Sequence, residues 1–181
     1  MIFMIDLSII IPVYNESKTI EELLNRVLNI EINKEIIVVD DASNDGTDKL
    51  LLKYENKINR LIIHKKNLGK GACIKSAQKY VSGNYVGIQD ADLEYHPKDL
   101  VKIVDYMKRN DATVVYGSRV LGKNKFENTQ NFTHLIRIWG NVFLTKFSNF
   151  INNQNLTDAH TCYKMFDAKL FKNQSTLNDC I

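Results

Sequence analysis

Tyr85-Val86-Gly87-Ile88-Gln89-Asp90-Ala91-Asp92-Leu93-Glu94 is the stretch on which the reading of this chain turns. Its first four residues form a short apolar run that predicts a buried strand. Two carboxylates spaced i, i+2 follow where that strand ends. Carboxylates are hard oxygen ligands, and Mg²⁺ or Mn²⁺ suits one or two of them together with substrate phosphates. Asp-x-Asp at a strand end therefore points to a metal-bridged diphosphate. Any strand leaving a core can end in Asp, so the stretch takes its meaning from the rest of the chain.

Outward from it, strands and helices alternate. Leu7–Ile11 is a near-continuous apolar run, as in a parallel strand covered on both faces. Pro12 closes it. Ser17–Leu28 predicts a helix with Ile20, Leu23, Leu24, Val27 and Leu28 on one face. Glu35–Val39 and Leu61–His64 read as strands, and the turn Ser43–Thr47 as leading into a helix that runs to about Tyr54. Lys70–Val81 predicts the helix before the central stretch, and Pro97 opens the helix after it, with an apolar stripe of Leu100, Ile103, Val104 and Met107. Thr113–Tyr116 and Thr161–Phe166 read as strands. Lys123–Asn131 reads as a polar loop, and Leu135–Ile151 as a long aromatic helix whose large side chains more often belong in a core than against lipid. This order argues an α/β fold with a doubly wound sheet flanked by helices. Such sheets bind ligands beyond the carboxyl ends of their strands, where strand order switches. Pro12–Glu16, Asp40–Ser43 and Asp90–Asp92 all follow strands and should meet at one edge.

Composition sets the bounds. The chain has 181 residues, enough for one domain with a real core, and 44% hydrophobic residues. A net charge of +3 suits an anionic ligand or a membrane surface and is too small to argue for nucleic acid. Cys73, Cys162 and Cys180 show neither metal spacing nor a disulfide framework, which points to a reducing compartment. Met1–Asp6 has no basic region and reads as lead-in to a strand. No apolar run reaches the roughly 20 residues of a membrane span.

Each polar cluster has a structural and a chemical reading. Asp40-Asp41 wants donors, either a nucleobase imide or ribose hydroxyl, or its own backbone in an Asx turn with a helix cap at Asp45 or Thr47. Asn67-Leu68-Gly69-Lys70-Gly71 precedes a helix and reads equally as a tight strand-to-helix turn or as a site where backbone N–H groups favour phosphate, which Lys70 can reach. It is neither a Walker loop nor a dinucleotide fingerprint, because Ile74 stands where a third small residue belongs. Gly117-Ser118-Arg119 follows a strand, and Arg119 is either an ordinary surface arginine or one suited to bidentate phosphate contact. His64, His96 and His134 have no evident partner and read as solvated or packed.

Assembled, these pieces resemble family-2 glycosyltransferases of the GT-A fold, most nearly the dolichyl- or polyprenyl-phosphate mannosyltransferase branch. The resemblance rests on Ile10–Glu16, Val38–Thr47, Asn67–Gly71, Gln89–Glu94, Val115–Arg119, Gly140-Asn141 and Leu156–Lys164, in the family's order and over nearly the whole chain. It implies that Pro12, Tyr14, Glu16, Val39 and Asp41 line a nucleotide pocket. It further implies that Asp90, Ala91 and Asp92 hold ribose, metal and diphosphate. Glu94, where many relatives carry Gln, adds a carboxylate to the metal set of Asp90 and Asp92. Arg119 matches an arginine that meets the acceptor phosphate, with Arg137 as a substitute for a further arginine. Two departures stand out: His160 replaces a Glu, and relatives continue past Ile181. The expectation is a single GT-A domain over residues 1–181 that lacks their C-terminal elements.

The implied reaction is inverting transfer of a hexose from GDP-mannose or a UDP-sugar, with Mg²⁺ or Mn²⁺, to a polyprenyl or dolichyl phosphate. A phosphate acceptor needs orientation by Arg119 more than proton removal. A hydroxyl acceptor would need a base, for which Asp158 is the candidate and His160 the second. Asp92, Asp158 and Arg119 are thus the catalytic candidates. Implied partners are the nucleotide-sugar, the lipid phosphate at a membrane surface and a membrane-anchored subunit, with the chain cytoplasmic and peripheral on the membrane. Three alternatives stay open: a glycan acceptor, a non-catalytic nucleotide-sugar-binding protein, and a nucleotidyltransferase.

Overall fold

Seven apolar or small residues in a row make β1 (Leu7–Val13), and Leu7, Ile9, Ile10 and Ile11 are fully buried. Successive strand residues face opposite sides, so unbroken burial from Leu7 to Ile11 means both faces are covered. A computed structural model describes residues 5–118, 140, 143–151, 157–158 and 163–173. They fall into two compact units, one of Met1–Val115 with Met165–Ile181, the other of Tyr116–Lys164.

In the first unit β1 is followed by α1 (Ile20–Leu28), β2 (Lys34–Asp40), α2 (Thr47–Leu52), a 3₁₀ turn (Glu55–Lys57), β3 (Arg60–Ile63), α3 (Lys70–Gln78), β4 (Tyr85–Ile88) and α4 (Lys98–Asn110). β5 (Val114–Tyr116) and β6 (Lys164–Asp167) straddle the boundary, and α5 (Ala168–Asn173) closes the described chain. The sheet order is β3-β2-β1-β4-β6-β5. β1 pairs in parallel with both β2 and β4, β2 pairs in parallel with β3, and β6 is antiparallel to β4. The chain therefore winds outward from β1 to β3 and returns to β1's other side with β4. The order switches between β1 and β4, which is where an open α/β sheet leaves its crevice.

The helices follow their apolar stripes. Ile20, Leu23, Leu24 and Val27 of α1 and Leu100, Val104 and Met107 of α4 are buried. Lys34, at the start of β2, donates to the carbonyls of Leu28 and Ile30 at 3.0 and 2.8 Å, satisfying acceptors that α1 leaves over at its end. A second cluster joins Ile37 and Val39 to Ile74, Ala77, Val86 and Phe171, so α5 shares a core with α3 and the sheet.

In the second unit, Gly117 donates to the carbonyl of Tyr163 at 2.8 Å, Thr157 bonds Ser118 at 2.9 Å, and Asp158 is buried. Residues 143–151 are helical, but Phe143, Leu144, Phe147, Phe150 and Ile151 are exposed and Thr145 faces inward. This corrects the expectation of a core helix for that segment. Large apolar side chains are usually inside, yet here the spacing i, i+4, i+7, i+8 gathers them on one outward stripe. Trp139, Lys123–Asn131 and Leu135–Trp139 lie outside the described residues. Among the described residues no helix is long and apolar enough to cross a membrane.

Candidate functional site

Three loops leave the carboxyl ends of β1, β2 and β4, and each contains one non-glycine residue forced to positive φ. These are Asn15 at 56°, Ala42 at 60° and Leu93 at 63°. Such backbone persists only where neighbouring bonds over-determine it, and it clusters at functional sites. The bonds are present. Asn15 N–H donates to Ser43 Oγ, Glu16 N–H to Thr47 Oγ1 and Ser17 N–H to Asp45 Oδ2, at 2.9 to 3.0 Å. In return Asn44 N–H donates to Asn15 Oδ1 at 2.9 Å. The Ser43–Thr47 segment thus laces the first loop to the second. Ala42 carries a Cβ in a conformation that suits glycine, a strain of roughly 1 kcal/mol. Ala42→Gly is expected to raise stability by about 0.5–1 kcal/mol, read from the urea midpoint.

A pocket of about 230 Å³ opens where these loops meet. Pro12, Val13, Tyr14 and Glu16 line it from the first loop and Asp41 from the second. Lys70 and Cys73 of α3 form a third side, and Asp90, Ala91 and Asp92 complete it. All the sequence-derived nucleotide-site residues but one are therefore brought together. The exception is Val39, which is fully buried in the core beside Pro12's strand. Its side chain belongs to the core cluster with Ile37, Ile74 and Ala77. Glu94 is not in the lining either; it is exposed, and its N–H donates to Asp92 Oδ1 at 3.0 Å. Asp158 belongs to the second unit, where it is buried. Arg119, Arg137 and His160 lie outside the described residues.

The pocket lining carries both charges. The Lys70 ammonium pairs with Asp90, whose side chain is 16% exposed. Asp41 also lines it and is buried, as is its neighbour Asp40, which does not line it. Asp40 takes the Ser43 hydroxyl at 2.5 Å and the Ser43 N–H at 3.2 Å, which is the Asx-turn reading of this residue. Asp41 accepts from His64 Nδ1 at 2.7 Å, from Leu68 N–H at 3.0 and 3.1 Å, and from Gly69 N–H at 2.6 Å. Sequence reasoning missed His64 as a member of this site. Its only signal was a histidine at a strand end next to a glycine-rich loop.

Titration follows from these bonds. Burial alone would push the Asp41 carboxyl up, but the bonds from His64, Leu68 and Gly69 outweigh it and hold it below its ordinary 3.8. Asp45 is also held below 3.8, first by the Thr47 hydroxyl. Burial, with the Asp41 carboxylate beside it, pushes the Cys73 thiol up to about 12, so it stays protonated near neutrality. A depressed carboxylate stabilises the fold at pH above its ordinary value and loses that contribution as pH falls through its folded value. These two groups should therefore leave urea midpoints level from about pH 8 to about pH 5 and lower them below about pH 4. Asp45→Asn should make that fall shallower; an unchanged acid limb would refute the assignment.

Two of the pocket's carboxylates are of the type that could hold a metal. Asp90 already holds an ammonium, and Asp90 and Asp92 are hard oxygen donors suited to Mg²⁺ or Mn²⁺. Comparison with known proteins adds the lineage. The chain is 36% identical over 135 residues to the dolichol-phosphate mannosyltransferase of Pyrococcus furiosus, covering 71% of this chain and 37% of that protein. It is 34% identical over 129 residues to the dolichyl-phosphate beta-glucosyltransferase of Dictyostelium discoideum, covering 62% and 39%. The chain thus spans less than two fifths of either relative. Its fold is shared by a mannosyltransferase from Pyrobaculum calidifontis in complex with GDP-Man and Mn²⁺, with a TM-score of 0.63 at 22% identity over 92% of this chain and 45% of that one. The fold is that of the GT-A glycosyltransferases. The sequence pattern described as Glycosyl transferase family 2 matches residues 8–174. A match of that extent, on that fold and with acidic loops meeting at the switch in strand order, leads to one assignment: the chain belongs to glycosyl transferase family 2.

Proposed function

We propose that this chain transfers a hexose, with inversion, from a nucleotide diphosphate-sugar to a polyprenyl or dolichyl phosphate. The observation that carries the reading is the convergence of Tyr14, Asp41, Lys70, Asp90 and Asp92 on one pocket at the β1/β4 switch. The names of the relatives, a dolichol-phosphate mannosyltransferase and a dolichyl-phosphate beta-glucosyltransferase, support the lipid-phosphate acceptor. The outward stripe of Phe143, Phe147 and Phe150 suits work at a membrane surface, and so supports a peripheral location.

In this reading Tyr14 and Asp41 border the nucleoside, and Asp90 and Asp92 hold Mg²⁺ or Mn²⁺. A divalent ion bound there would neutralise charge developing on the leaving diphosphate. Lys70 adds a second cation. Its ammonium sits on Asp90, within reach of an exchange from carboxylate to diphosphate oxygen. A phosphate acceptor is already ionised near neutrality, so the chain need only orient it for attack on the face opposite the leaving group. Arg119 is assigned that task.

Calorimetric titration of the chain with GDP and with UDP, each with and without Mn²⁺, tests the donor side. Metal-dependent binding of one nucleotide is the expected result. Binding of neither, or binding indifferent to Mn²⁺, overturns the proposal. Turnover with a short-chain polyprenyl phosphate but not with free glycans tests the acceptor side.

A further inference from the structure

We infer that His64 is a positioning residue for the donor pocket, tying Asp41 to Ser76 so that Asp41 in turn holds the backbone N–H groups at the start of α3. The inference rests on the reading of this pocket as a nucleotide site and assigns the part of it that sets its shape.

His64 stands one residue past β3, and its N–H donates to the Asp40 carbonyl at 2.8 Å, which fixes its backbone on the end of β2. Its ring bridges two elements. Nδ1 lies 2.7 Å from Asp41 Oδ1, and Nε2 lies 2.9 Å from Ser76 Oγ on α3. A carboxylate only accepts, so Nδ1 carries the proton; in the neutral ring Nε2 then takes the Ser76 hydroxyl. The side chains of His64 and Asp41 are 8% and 3% exposed, so water cannot readily replace either bond. Asp41 passes the constraint on through Leu68 N–H and Gly69 N–H. Gly69, at φ 87°, is the residue before α3, and Lys70 is the first residue of that helix. Lys70 pairs with Asp90. One line of bonds therefore runs from Ser76 through His64, Asp41 and the α3 turn to the Asp90 carboxylate in the pocket lining.

Two other uses of this cluster fail on the same geometry. Asp41, His64 and Cys73 have donor atoms within 4.8 Å of one another, the composition of a soft-metal site. Both ring nitrogens and both Asp41 oxygens are already engaged, so a metal there would undo the α3 turn. The order Ser76–His64–Asp41 also matches that of an acyl-transfer triad. Ser76 lies inside α3, where the surrounding N–H groups are committed to the helix and cannot serve an oxyanion.

The test compares the full chain with His64→Ala, His64→Asn and His64→Gln. It reads GDP and UDP affinity with Mn²⁺ by calorimetry, thermal midpoint, and amide exchange at Leu68 and Gly69. An asparagine amide reaches about where Nδ1 sits, and a glutamine amide about where Nε2 sits. His64→Ala should weaken nucleotide binding about tenfold and speed exchange at both amides about tenfold, the scale of one charge-assisted buried bond. Asparagine should recover affinity to within about threefold and restore protection, while glutamine should not. A folded His64→Ala protein with parental affinity and parental exchange overturns the inference alone. Recovery by glutamine equal to that by asparagine also overturns it. If His64→Ala does not fold, the asparagine and glutamine pair decides. A parent chain that binds neither nucleotide overturns the donor reading and the inference with it.

Discussion

Asp92→Ala is expected to lower kcat/KM for sugar transfer about 10³-fold while leaving the fold intact, a loss of about 4 kcal/mol of transition-state stabilisation. Asp92 lines the pocket but is exposed at its rim. Among the described residues it accepts from Glu94 N–H, at 3.0 Å. Losing that bond destabilises by about 1 kcal/mol at most. The loss of transition-state stabilisation therefore exceeds the loss of stability by about 3 kcal/mol, and a thermal midpoint measured beside the rate shows which was hit. Asp92→Asn sharpens the comparison. It keeps an oxygen for Glu94 N–H but removes the charge, so it should restore the midpoint and still leave the rate down about 10²-fold. Turnover within tenfold of the parent in Asp92→Ala, measured as nucleotide release with polyprenyl phosphate, would remove Asp92 from the mechanism and the Asp-x-Asp reading with it.

How much of this was legible in the sequence depends on how far apart the interacting residues lie. The strands β1, β2 and β4 were readable because a strand buried on both faces leaves an uninterrupted apolar run, as Leu7–Ile11 does; β3 was readable from its short apolar run Leu61–Ile63 alone, since none of its residues is buried. The α1 and α4 stripes were readable because helical period is local. The edges shifted by a few residues: α1 begins at Ile20 rather than Ser17, and α3 ends at Gln78 rather than Val81. The direction of β6 was not readable, since alternation in Lys164–Asp167 is the same whichever way its partner runs. The six-residue α5 was too short to show a period. At the site, the three loops were legible as polar clusters at strand ends. His64 was not, because its partner lies 23 residues back in the chain and a buried histidine looks like a solvated one on paper. Val39, which the resemblance placed at the pocket, has its side chain in the core, a distinction that a motif does not carry.

Gly83→Ala should have the largest effect on stability, about 3 kcal/mol or more. An added Cβ at Gly83 would meet Ser8 N at 2.7 Å, Ser8 Oγ at 2.8 Å and Leu7 C at 2.9 Å. Two of these are backbone atoms of the central strand, which cannot step aside. The third belongs to a buried network around Glu35, which is 5% exposed at the start of β2. The Glu35 carboxylate takes the Ser8 hydroxyl, Ser82 N–H at 2.5 Å, Ser82 Oγ at 2.7 Å and Gly83 N–H at 3.2 Å. These donors satisfy a charge that would otherwise be costly to bury, and they fasten the turn before β4 to two strands. Glu35→Ala would strand several buried donors and should also destabilise by about 3 kcal/mol. The two changes strike one network, so the double variant should lose clearly less than the sum. Both lie at the amino ends of the parallel strands, across the sheet from the pocket. Below their lowered unfolding midpoints, nucleotide affinity should therefore match the parent. A loss under about 1 kcal/mol for Gly83→Ala in urea unfolding would mean the β1 backbone yields, contrary to the packing described. Weakened nucleotide binding in still-folded protein would mean the two ends of the sheet are coupled, and that the site depends on more than its loops.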